Sequence, residues 1–264
     1  MTASIENRAK RKLAAGELVL CLGLRQSHTV DIAMIAAQCG FDALFVDMEH
    51  SPVSLETTSM LCAASPGLGV TPLVRVPGHE SHWASRVLDG GALGVIVPHV
   101  NDRAQAAAVV EHCRFPPLGH RSVMGTGPAL GYRALPLREV NERQNAETLV
   151  IVMLETPQGI ANADAIAAVP GIDMLLIGSN DLCTELGIPG ELRHPRLREA
   201  YETAAKACRA HGKALGMGGV RGDLELQADL VRLGTRFILA GNDVNYLAAA
   251  ARKDAEALRT IKLS

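Results

Sequence analysis

The sequence has few aromatic residues and almost no net charge, and each shortage excludes a class of partner. Phe, Trp and Tyr make up 3% of the 264 residues, too few for the stacking platforms that bind single-stranded nucleic acids. The formal net charge of −2 gives no electrostatic reason for binding to nucleic acid or to an anionic membrane. Partners of these two kinds are therefore not expected.

Long apolar runs and paired cysteines are missing as well. No stretch approaches the roughly 20 apolar residues needed to span a bilayer, and the polar segment 1–17 lacks the apolar centre of a signal peptide. The six cysteines show no CxxC motif and no paired spacing. Several, such as Cys62, lie on apolar faces, so we expect buried, reduced thiols. A cytoplasmic protein is the prediction.

The hydrophobic content is high enough for a large folded core. Residues of the hydrophobic types make up 48% of the chain, and the mean hydropathy is slightly positive. The length is typical of one (β/α)8 barrel, and no linker marks a second domain. We therefore predict a single α/β domain over residues 1–264.

Eight apolar runs alternate with helix-like segments along the chain. The runs are apolar on both faces, as parallel strands covered by helices are, and eight such units favour a closed barrel. Residues 4–14 predict a short surface helix. Residues 114–134 show no helix or strand period and predict a long functional or mobile loop that partly covers a site or an interface. The predicted strands are 17–24, 41–47, 71–76, 92–98, 148–154, 172–177, 213–217 and 236–240.

The stretch from Leu149 to Asp181 organises the functional prediction. Two apolar runs, joined by a helical segment, are each followed by an acid, Glu155 and Asp181. Parallel strands bring their carboxyl ends to one edge, where barrel enzymes carry their active sites. Two carboxylates there can hold a divalent cation such as Mg²⁺. The alternative is structural, with Asp181 capping a helix and Glu155 pairing with Arg75.

Other charged residues follow strands at the same predicted edge. In the DMEH segment, Asp47 could orient one ring nitrogen of His50 and leave the other as a base, while Glu49 is a metal neighbour or a surface acid. Arg75 ends the third run and could stabilise a substrate oxygen that becomes negative. It could equally pair with Asp47 or Glu155.

The remaining candidates at that edge are weaker. His99 follows the fourth run and is left undecided with His120, whereas the histidines in helices and other loops are taken as surface residues. No lysine ends a strand, which argues against a Schiff-base mechanism. Glycines 216, 218, 219 and 241 could bind a phosphate or serve as turn residues.

Several segments together resemble the HpcH/HpaI family of metal-dependent pyruvate aldolases. The similarity runs in order from about residue 17 to residue 250. It implies a (β/α)8 barrel of the phosphoenolpyruvate/pyruvate type, assembled as a hexamer (a trimer of dimers) with the last helix exchanged between subunits. The segments that carry it are GFDALFVDMEHSP, LVRVPG, LDGGALGVIVPHV, FPPLGHRS, LETPQGIANADAIAAVPGIDMLLIGSNDL and GNDVNYL.

The resemblance also implies roles for individual residues. Glu155 and Asp181 match the metal ligands, with Mg²⁺, Mn²⁺ or Co²⁺ as the cofactor. His50 matches the catalytic base, with Asp47 as its orienting partner, and Arg75 matches the arginine that binds the pyruvate oxygen. Asp89 matches a catalytic acid that reaches the site of an adjacent subunit, and this role is implied by the resemblance alone.

Two segments depart from the family pattern. One is 51–53, Ser-Pro-Val, where the family usually has glycine and asparagine or aspartate after the EH pair, a change that bears on the size of the aldehyde pocket. In the other, the family commonly has Gly-Pro-Ala-Asp-Leu-Ser where this chain has the segment 178–183, GSNDLC. The backbone there holds the pyruvate carboxylate in the family, which implies substrate binding by Gly178, Ser179 and Asn180. The changed side chains are expected to alter the pocket shape or the aldehyde preference.

These observations predict a reversible aldolase that cleaves a 4-hydroxy-2-oxo acid to pyruvate and a small aldehyde. The intermediate would be a pyruvate enolate stabilised by the metal and by Arg75. Two other reactions stay open. One is an acyl-CoA lyase of the citrate lyase β or malyl-CoA type, although no clear basic CoA-binding surface is found. The other is a sugar-phosphate isomerase or epimerase that uses the glycines of the last strands.

Overall fold

A computed structural model describes residues 6–263 and shows a closed barrel of eight parallel strands. Each strand pairs with its neighbour in chain order, and the first strand pairs with the last. The predicted (β/α)8 barrel is therefore confirmed. The strands are β1 Val19–Leu24, β2 Ala43–Asp47, β3 Thr71–Arg75, β4 Gly94–Val97, β5 Leu149–Leu154, β6 Met174–Gly178, β7 Ala214–Gly218 and β8 Thr235–Asn242.

Helices cover the outside of the barrel. An outer layer of apolar side chains lies between strands and helices and holds most of the core. No helix within residues 6–263 is long and apolar enough to cross a membrane. The helices are α1 Arg8–Ala14, α2 Asp31–Gln38, α3 Leu55–Ala64, α4 Ser81–Asp89, α5 Arg103–Cys113, α6 Leu137–Glu147, α7 Pro157–Ala161, α8 Ala163–Ala167, α9 Ser179–Glu185, α10 Pro195–His211, α11 Leu224–Leu233 and α12 Asp243–Leu258.

The alternation of side chains along each strand decides which residues face the barrel axis. In β2, Phe45 belongs to the cluster that fills the barrel, whereas Leu44 and Val46 belong to the outer layer. Because the side-chain period of a strand is two, Asp47 points inward directly above Phe45. The same step leads from Leu73 to Arg75 in β3. The inward positions at the carboxyl ends therefore carry charge, while those inside the barrel are apolar.

The amino-terminal end of the barrel is closed by α1. Ala9 is fully buried in the interior cluster, and Leu13 packs against that cluster. The side chain of Asn7 donates to the carbonyl oxygens of Leu93 (2.8 Å) and Glu147 (2.7 Å), just before β4 and β5. The prediction of a surface helix is wrong for this face, because the helix plugs the open end of the barrel. Residues 4 and 5 of that prediction lie outside the described residues.

The segment 114–134 contains one 3-10 turn and lies near the closed end of the barrel. Arg114 donates to the carbonyl of Thr148 at 3.1 Å and to that of Gly171 at 3.0 Å, just before β5 and β6. Arg121 donates to Asp89 at the end of α4. No residue of this segment lines the cavity at the opposite end of the barrel. Within one chain it therefore does not cover that cavity, contrary to the prediction of a site cover.

The cysteines are free thiols, as predicted, and five of the six are buried. The exception is Cys39, which is exposed at the end of α2. Burial raises the pKa of the Cys62 thiol to about 12, so this thiol stays protonated and packs as a small apolar group.

Candidate active site at the carboxyl ends of the strands

A polar cavity of about 230 Å³ opens at the carboxyl ends of the strands. Most of the predicted site residues line it, namely Asp47, His50, Arg75, Glu155, Gly178, Ser179, Asn180 and Asp181. The structure thus brings together side chains from four strand ends that lie far apart in the sequence. Among the residues to which the resemblance gives a role, Asp89 is the one that does not line this cavity.

Glu155 follows β5 directly and lies two residues beyond the inward-facing Met153. Its side chain is 1% exposed, and Oε2 accepts a hydrogen bond of 2.9 Å from the backbone N–H of His99. Burial raises the pKa of Glu155, and the negative charge of Asp181 adds to this shift, while His99 and Arg75 oppose it. A buried carboxylate beside a second acid is a place where a cation would be strongly stabilised.

Asp181 is the third residue of α9, which begins directly after β6. No side chain caps this helix, so Asp181 does not serve as the structural cap considered above. The residue is exposed, in contrast to Glu155. Within residues 6–263, no three His, Cys, Asp or Glu residues are grouped to hold a metal ion. This pair of acids could therefore supply only part of a coordination shell.

Gly178 is required where β6 passes Glu155. A Cβ atom at this position would lie 2.5 Å from Oε1 and 2.7 Å from Cγ of Glu155. Only glycine allows the carboxylate to lie against the β6 backbone and still face the cavity. The sequence thus specifies the position of Glu155 partly through a residue that carries no functional group.

Asp47 and Arg75 face each other across β2 and β3. Arg75 donates from Nε to Oδ1 of Asp47 at 3.0 Å and from Nη2 to Oδ2 at 2.7 Å. Its Nη1 lies 2.9 Å from Oε2 of Glu49. That oxygen nevertheless has no hydrogen-bond partner, so the contact is an ion pair with poor hydrogen-bond geometry. Arg75 is thus fixed by two acids, and Nη1 keeps N–H groups that can reach a substrate oxygen.

His50 is held through its backbone rather than through its ring. The backbone N–H groups of Glu49 (3.2 Å) and His50 (3.1 Å) donate to Oδ1 of Asp47. The half-exposed His50 ring carries Nε2 3.8 Å from Oε2 of Glu49. Asp47 therefore positions the loop that carries His50, and the predicted contact between Asp47 and a ring nitrogen of His50 is absent from the described hydrogen bonds.

His99, left undecided from the sequence, contributes to the site through its backbone conformation. Its φ of 53° is in the left-handed region, which is uncommon for a residue other than glycine. This conformation directs the His99 N–H to Glu155, and the ring lies 3.6 Å from Glu49 and 3.4 Å from Glu155. The sequence signal is its position two residues beyond the end of β4, after Pro98.

Sequence reasoning missed two arginines that line the cavity. Arg25 follows β1, and its Nε donates to Oδ2 of Asp47 at 3.0 Å. Arg221 follows β7, and its guanidinium lies over the ring of Tyr246, 5.4 Å from the ring centroid. The signal that could have found them is a basic residue shortly after a predicted strand, since Arg25 lies one position beyond 17–24 and Arg221 four positions beyond 213–217.

The predicted substrate-binding segment 178–180 lines the cavity. The hydroxyl group of Ser179 is buried 2.8 Å from the hydroxyl group of Tyr201, behind the cavity. The side chain of Asn180 lies against Gly219, where a Cβ would approach it to 3.1 Å. The Ser179 hydroxyl group is thus engaged with Tyr201, while the first N–H groups of α9 have no partner within the helix.

Asp89 lies at the other end of the barrel, since α4 runs antiparallel to the strands. Its Oδ1 accepts a hydrogen bond of 2.6 Å from the buried Arg121 of the same chain.

Among the glycines considered for phosphate binding, Gly218, Gly219 and Gly241 line the cavity. Gly216 does not line the cavity. It lies deeper in the barrel, where a Cβ would lie 2.8 Å from Leu176 of the interior cluster, so it cannot contact a phosphate bound in the cavity. Among residues 6–263, no lysine lines the cavity.

Known proteins are similar to this chain over most of its length. A family model described as HpcH/HpaI aldolase/citrate lyase matches residues 25–250. The 4-hydroxy-4-methyl-2-oxoglutarate aldolase of Hapsidospora irregularis is 42% identical, covering 98% of this chain and 97% of that protein. A hydroxypyruvate/pyruvate aldolase of Pseudomonas aeruginosa is 34% identical, covering 94% of this chain and 91% of that protein.

A solved structure agrees in fold over nearly the whole chain. The HpcH/HpaI aldolase of Desulfitobacterium hafniense superimposes with a TM-score of 0.90 at 29% identity, covering 96% of this chain and 97% of that one. The fold and the sequence matches thus point to one family, as predicted from the motifs. This chain belongs to the HpcH/HpaI aldolase/citrate lyase family.

Proposed function

We propose that this chain is a divalent-metal-dependent aldolase that reversibly cleaves a 4-hydroxy-2-oxo acid to pyruvate and a second carbonyl compound. The observation that carries the proposal is that Glu155, Asp181 and Arg75 line one cavity at the carboxyl ends of β5, β6 and β3. The enzyme class predicted from the sequence, a carbon–carbon lyase, is confirmed by relatives at 34–42% identity that are named aldolases.

The two acids fit a hard divalent cation. Carboxylate oxygens are the donors that Mg²⁺ prefers, and Mg²⁺ commonly keeps several positions for water or substrate. One oxygen of Glu155 is fixed by the His99 N–H at 2.9 Å, so the other can face the cavity. Glu155 and Asp181 would hold Mg²⁺, Mn²⁺ or Co²⁺. When bound, the cation would act as a Lewis acid toward the 2-oxo group of the substrate.

The remaining residues take the roles of binding and proton transfer. Nη1 of Arg75 donates to the 2-oxo oxygen, whose negative charge grows as the carbon–carbon bond breaks. The backbone N–H groups at 179 and 180 bind the adjacent carboxylate. His50, exposed at the cavity, accepts the proton of the C4 hydroxyl group directly or through water. Asp47 fixes both Arg75 and the His50 loop in these positions.

The reaction balances without an external oxidant or reductant. The C4 hydroxyl group loses its proton and becomes a carbonyl group as the C3–C4 bond breaks. The electron pair of that bond stays on the pyruvate fragment as an enolate, and C3 then takes up a proton from water. Because none of the described residues that line the cavity is a lysine, no lysine amine among them is available for a Schiff base.

We also propose that the enzyme works as a homo-oligomer, namely the hexamer implied by the resemblance. Helix α12 buries none of its residues within one chain, and Leu247 is 72% exposed. Met34 and Ile35 of α2 are also more than half exposed. A neighbouring subunit that packs on α12 would cover such surfaces, while Asp243 and Tyr246 keep their contacts within the chain. Asp89, far from the cavity of its own chain, would act only at the cavity of a neighbour.

The test of the function is the substitution Glu155→Gln. We expect loss of bound Mn²⁺, measured by calorimetry, and at least a 100-fold lower rate of pyruvate release from a 4-hydroxy-2-oxo acid. Glu142→Gln, on the exposed face of α6, is the matched control and should match the wild type in both measurements. Wild-type metal binding and wild-type pyruvate release in Glu155→Gln would overturn the proposal.

A further inference from the structure

The proposed reaction uses one side of the cavity and leaves the other side unexplained. Asp47, Arg75, Glu155 and Asp181 come from β2, β3 and the ends of β5 and β6. The opposite side is formed by the ends of β1, β7 and β8, which are neighbours in the barrel. The charged side chains on that side are the two arginines, Arg25 and Arg221.

We propose that Arg25 and Arg221 bind a second carboxylate of the substrate, carried on C4. The second product would then be a 2-oxo acid rather than a neutral aldehyde. The substrate class would be the 4-hydroxy-2-oxo acids that carry this second carboxylate directly on C4. This inference rests on the proposed aldolase function, because it assigns the part of the cavity that faces away from the pyruvate fragment.

Arg25 is a positioned cation with free donors. Its Nε donates to Oδ2 of Asp47, and its terminal nitrogens make no hydrogen bond to the described residues. The side chain is 40% exposed. Its backbone is fixed by Asp243 at the start of α12, which accepts from the N–H groups of Arg25 (3.0 Å), Gln26 (3.0 Å) and Ser27 (2.7 Å). The guanidinium is therefore held at the cavity while two of its nitrogens remain available.

Arg221 is held without an acidic partner. Its guanidinium lies over the ring of Tyr246, and none of the ion pairs among residues 6–263 includes it. Tyr246 is itself fixed against Phe41, at 6.4 Å between ring centroids. A guanidinium stacked on an aromatic ring keeps its N–H groups in the ring plane free to donate. Stacking therefore orients the charge and leaves the donors for a ligand.

The chemistry of this pair favours a carboxylate over other ligands. Arginine presents a planar set of donors that matches a carboxylate with two parallel hydrogen bonds. A neutral aldehyde would leave these donors without an anionic partner. The relative from Hapsidospora irregularis is named for 4-hydroxy-4-methyl-2-oxoglutarate, a compound with a carboxylate on C4. The arginines of this chain provide a physical reason for such a preference.

The test compares two substrates that differ only in this carboxylate. One is 4-hydroxy-4-methyl-2-oxoglutarate. The other is 4-hydroxy-4-methyl-2-oxopentanoate, which has a methyl group in its place and yields acetone as second product. Pyruvate release gives kcat/KM for each. We expect the wild type to prefer the dicarboxylate by about 100-fold, and Arg221→Gln to lower that ratio by about 10-fold or more. Arg221→Lys should retain part of the preference.

Two controls separate the possible failures. Arg25→Gln should also lower the ratio, with circular dichroism confirming the fold because Arg25 contacts Asp47. Arg138→Gln, on the exposed face of α6, should leave the ratio unchanged. Exchange of the pyruvate methyl protons for deuterium, followed by NMR with Mg²⁺, tests the aldolase function independently. Absence of exchange in the wild type would overturn the proposed function. Exchange combined with no preference for the dicarboxylate, or with a ratio unchanged in both arginine variants, would overturn only this assignment.

Discussion

Asp47 and Arg75 are directly paired in the register of β2 and β3 and form a buried two-point ion pair. Both side chains are nearly inaccessible, at 2% and 6% exposure. Burial alone would raise the pKa of Asp47, but the hydrogen bonds and charge of Arg75, with contributions from the His50 N–H and Arg25, outweigh it and lower the pKa. This one carboxylate therefore organises the arginine, the His50 loop and the residue after β1.

Substitution of Asp47 by Asn should destabilise the fold strongly. It would leave the buried guanidinium of Arg75 with a neutral partner, and breaking a buried pair costs about 3–5 kcal/mol. Because the folded pKa of Asp47 is lowered, its contribution is fully present above the unfolded value of about 3.9 and is lost as the pH falls through the folded value. Urea unfolding at pH 7 should show the full difference from wild type, and this difference should shrink in acid. A loss below about 1 kcal/mol at pH 7 would contradict this expectation.

The pKa of Glu155 is shifted in the opposite direction, so the sign of its pH effect is reversed. Burial raises this pKa, and the charge of Asp181 adds to the shift. The metal-free folded protein then binds a proton more tightly than the unfolded chain does. Its stability should fall as the pH rises from the unfolded value of about 4.3 through the folded value. Glu155→Gln should flatten this slope in urea unfolding with EDTA, whereas Glu142→Gln should retain it. Equal slopes in wild type and Glu155→Gln would show that Glu155 does not cause the effect.

The barrel could be predicted from the sequence because its signal is redundant. Each of the eight strands is a short apolar run with a helix behind it, and an error at one boundary leaves the count unchanged. The acids of the proposed site, Glu155 and Asp181, could be predicted from the same pattern, since each closely follows such a run. The exact ends of the strands could not be predicted as well as their number. The predicted strand 236–240 extends to Asn242 in the structure, where the pairing with β1 shifts between Cys21 and Leu22.

The parts that could not be predicted depend on contacts between distant segments. Nothing local in α1 shows that Ala9 plugs the barrel, because the buried face of a short helix has too few residues to define a period. The left-handed backbone of His99 is set by its hydrogen bond to Glu155, 56 residues away. Arg221 resembles any loop arginine until the fold places Tyr246 beneath it. The local sequence around these residues does not reveal their role. Their role can be recognised only when the folded barrel shows which distant residues they contact.

Gly178→Ala should impair metal binding without removing any functional group. The added Cβ would lie 2.5 Å from Oε1 of Glu155, so the carboxylate must move. A misplaced ligand typically costs at least 10-fold in metal affinity, which Mn²⁺ calorimetry would measure. Gly67→Ala is the matched control, since no atom lies within 4 Å of a Cβ built there. Unchanged Mn²⁺ affinity in Gly178→Ala would show that the position of Glu155 does not depend on this glycine.

Substitution of Leu247 by Asp should dissociate the proposed oligomer. Leu247 is 72% exposed on α12, a helix with no buried residue in the single chain. If a second copy covers this helix, a carboxylate at position 247 would be buried without a partner, and the interface would lose its free-energy advantage. Light scattering coupled to gel filtration should give a hexamer for the wild type and a smaller species for the variant. Leu137→Asp, at a leucine 59% exposed on α6, is the matched control and should keep the wild-type mass. A monomeric wild type, or a variant that keeps the mass of the wild type, would exclude α12 as the contact between subunits.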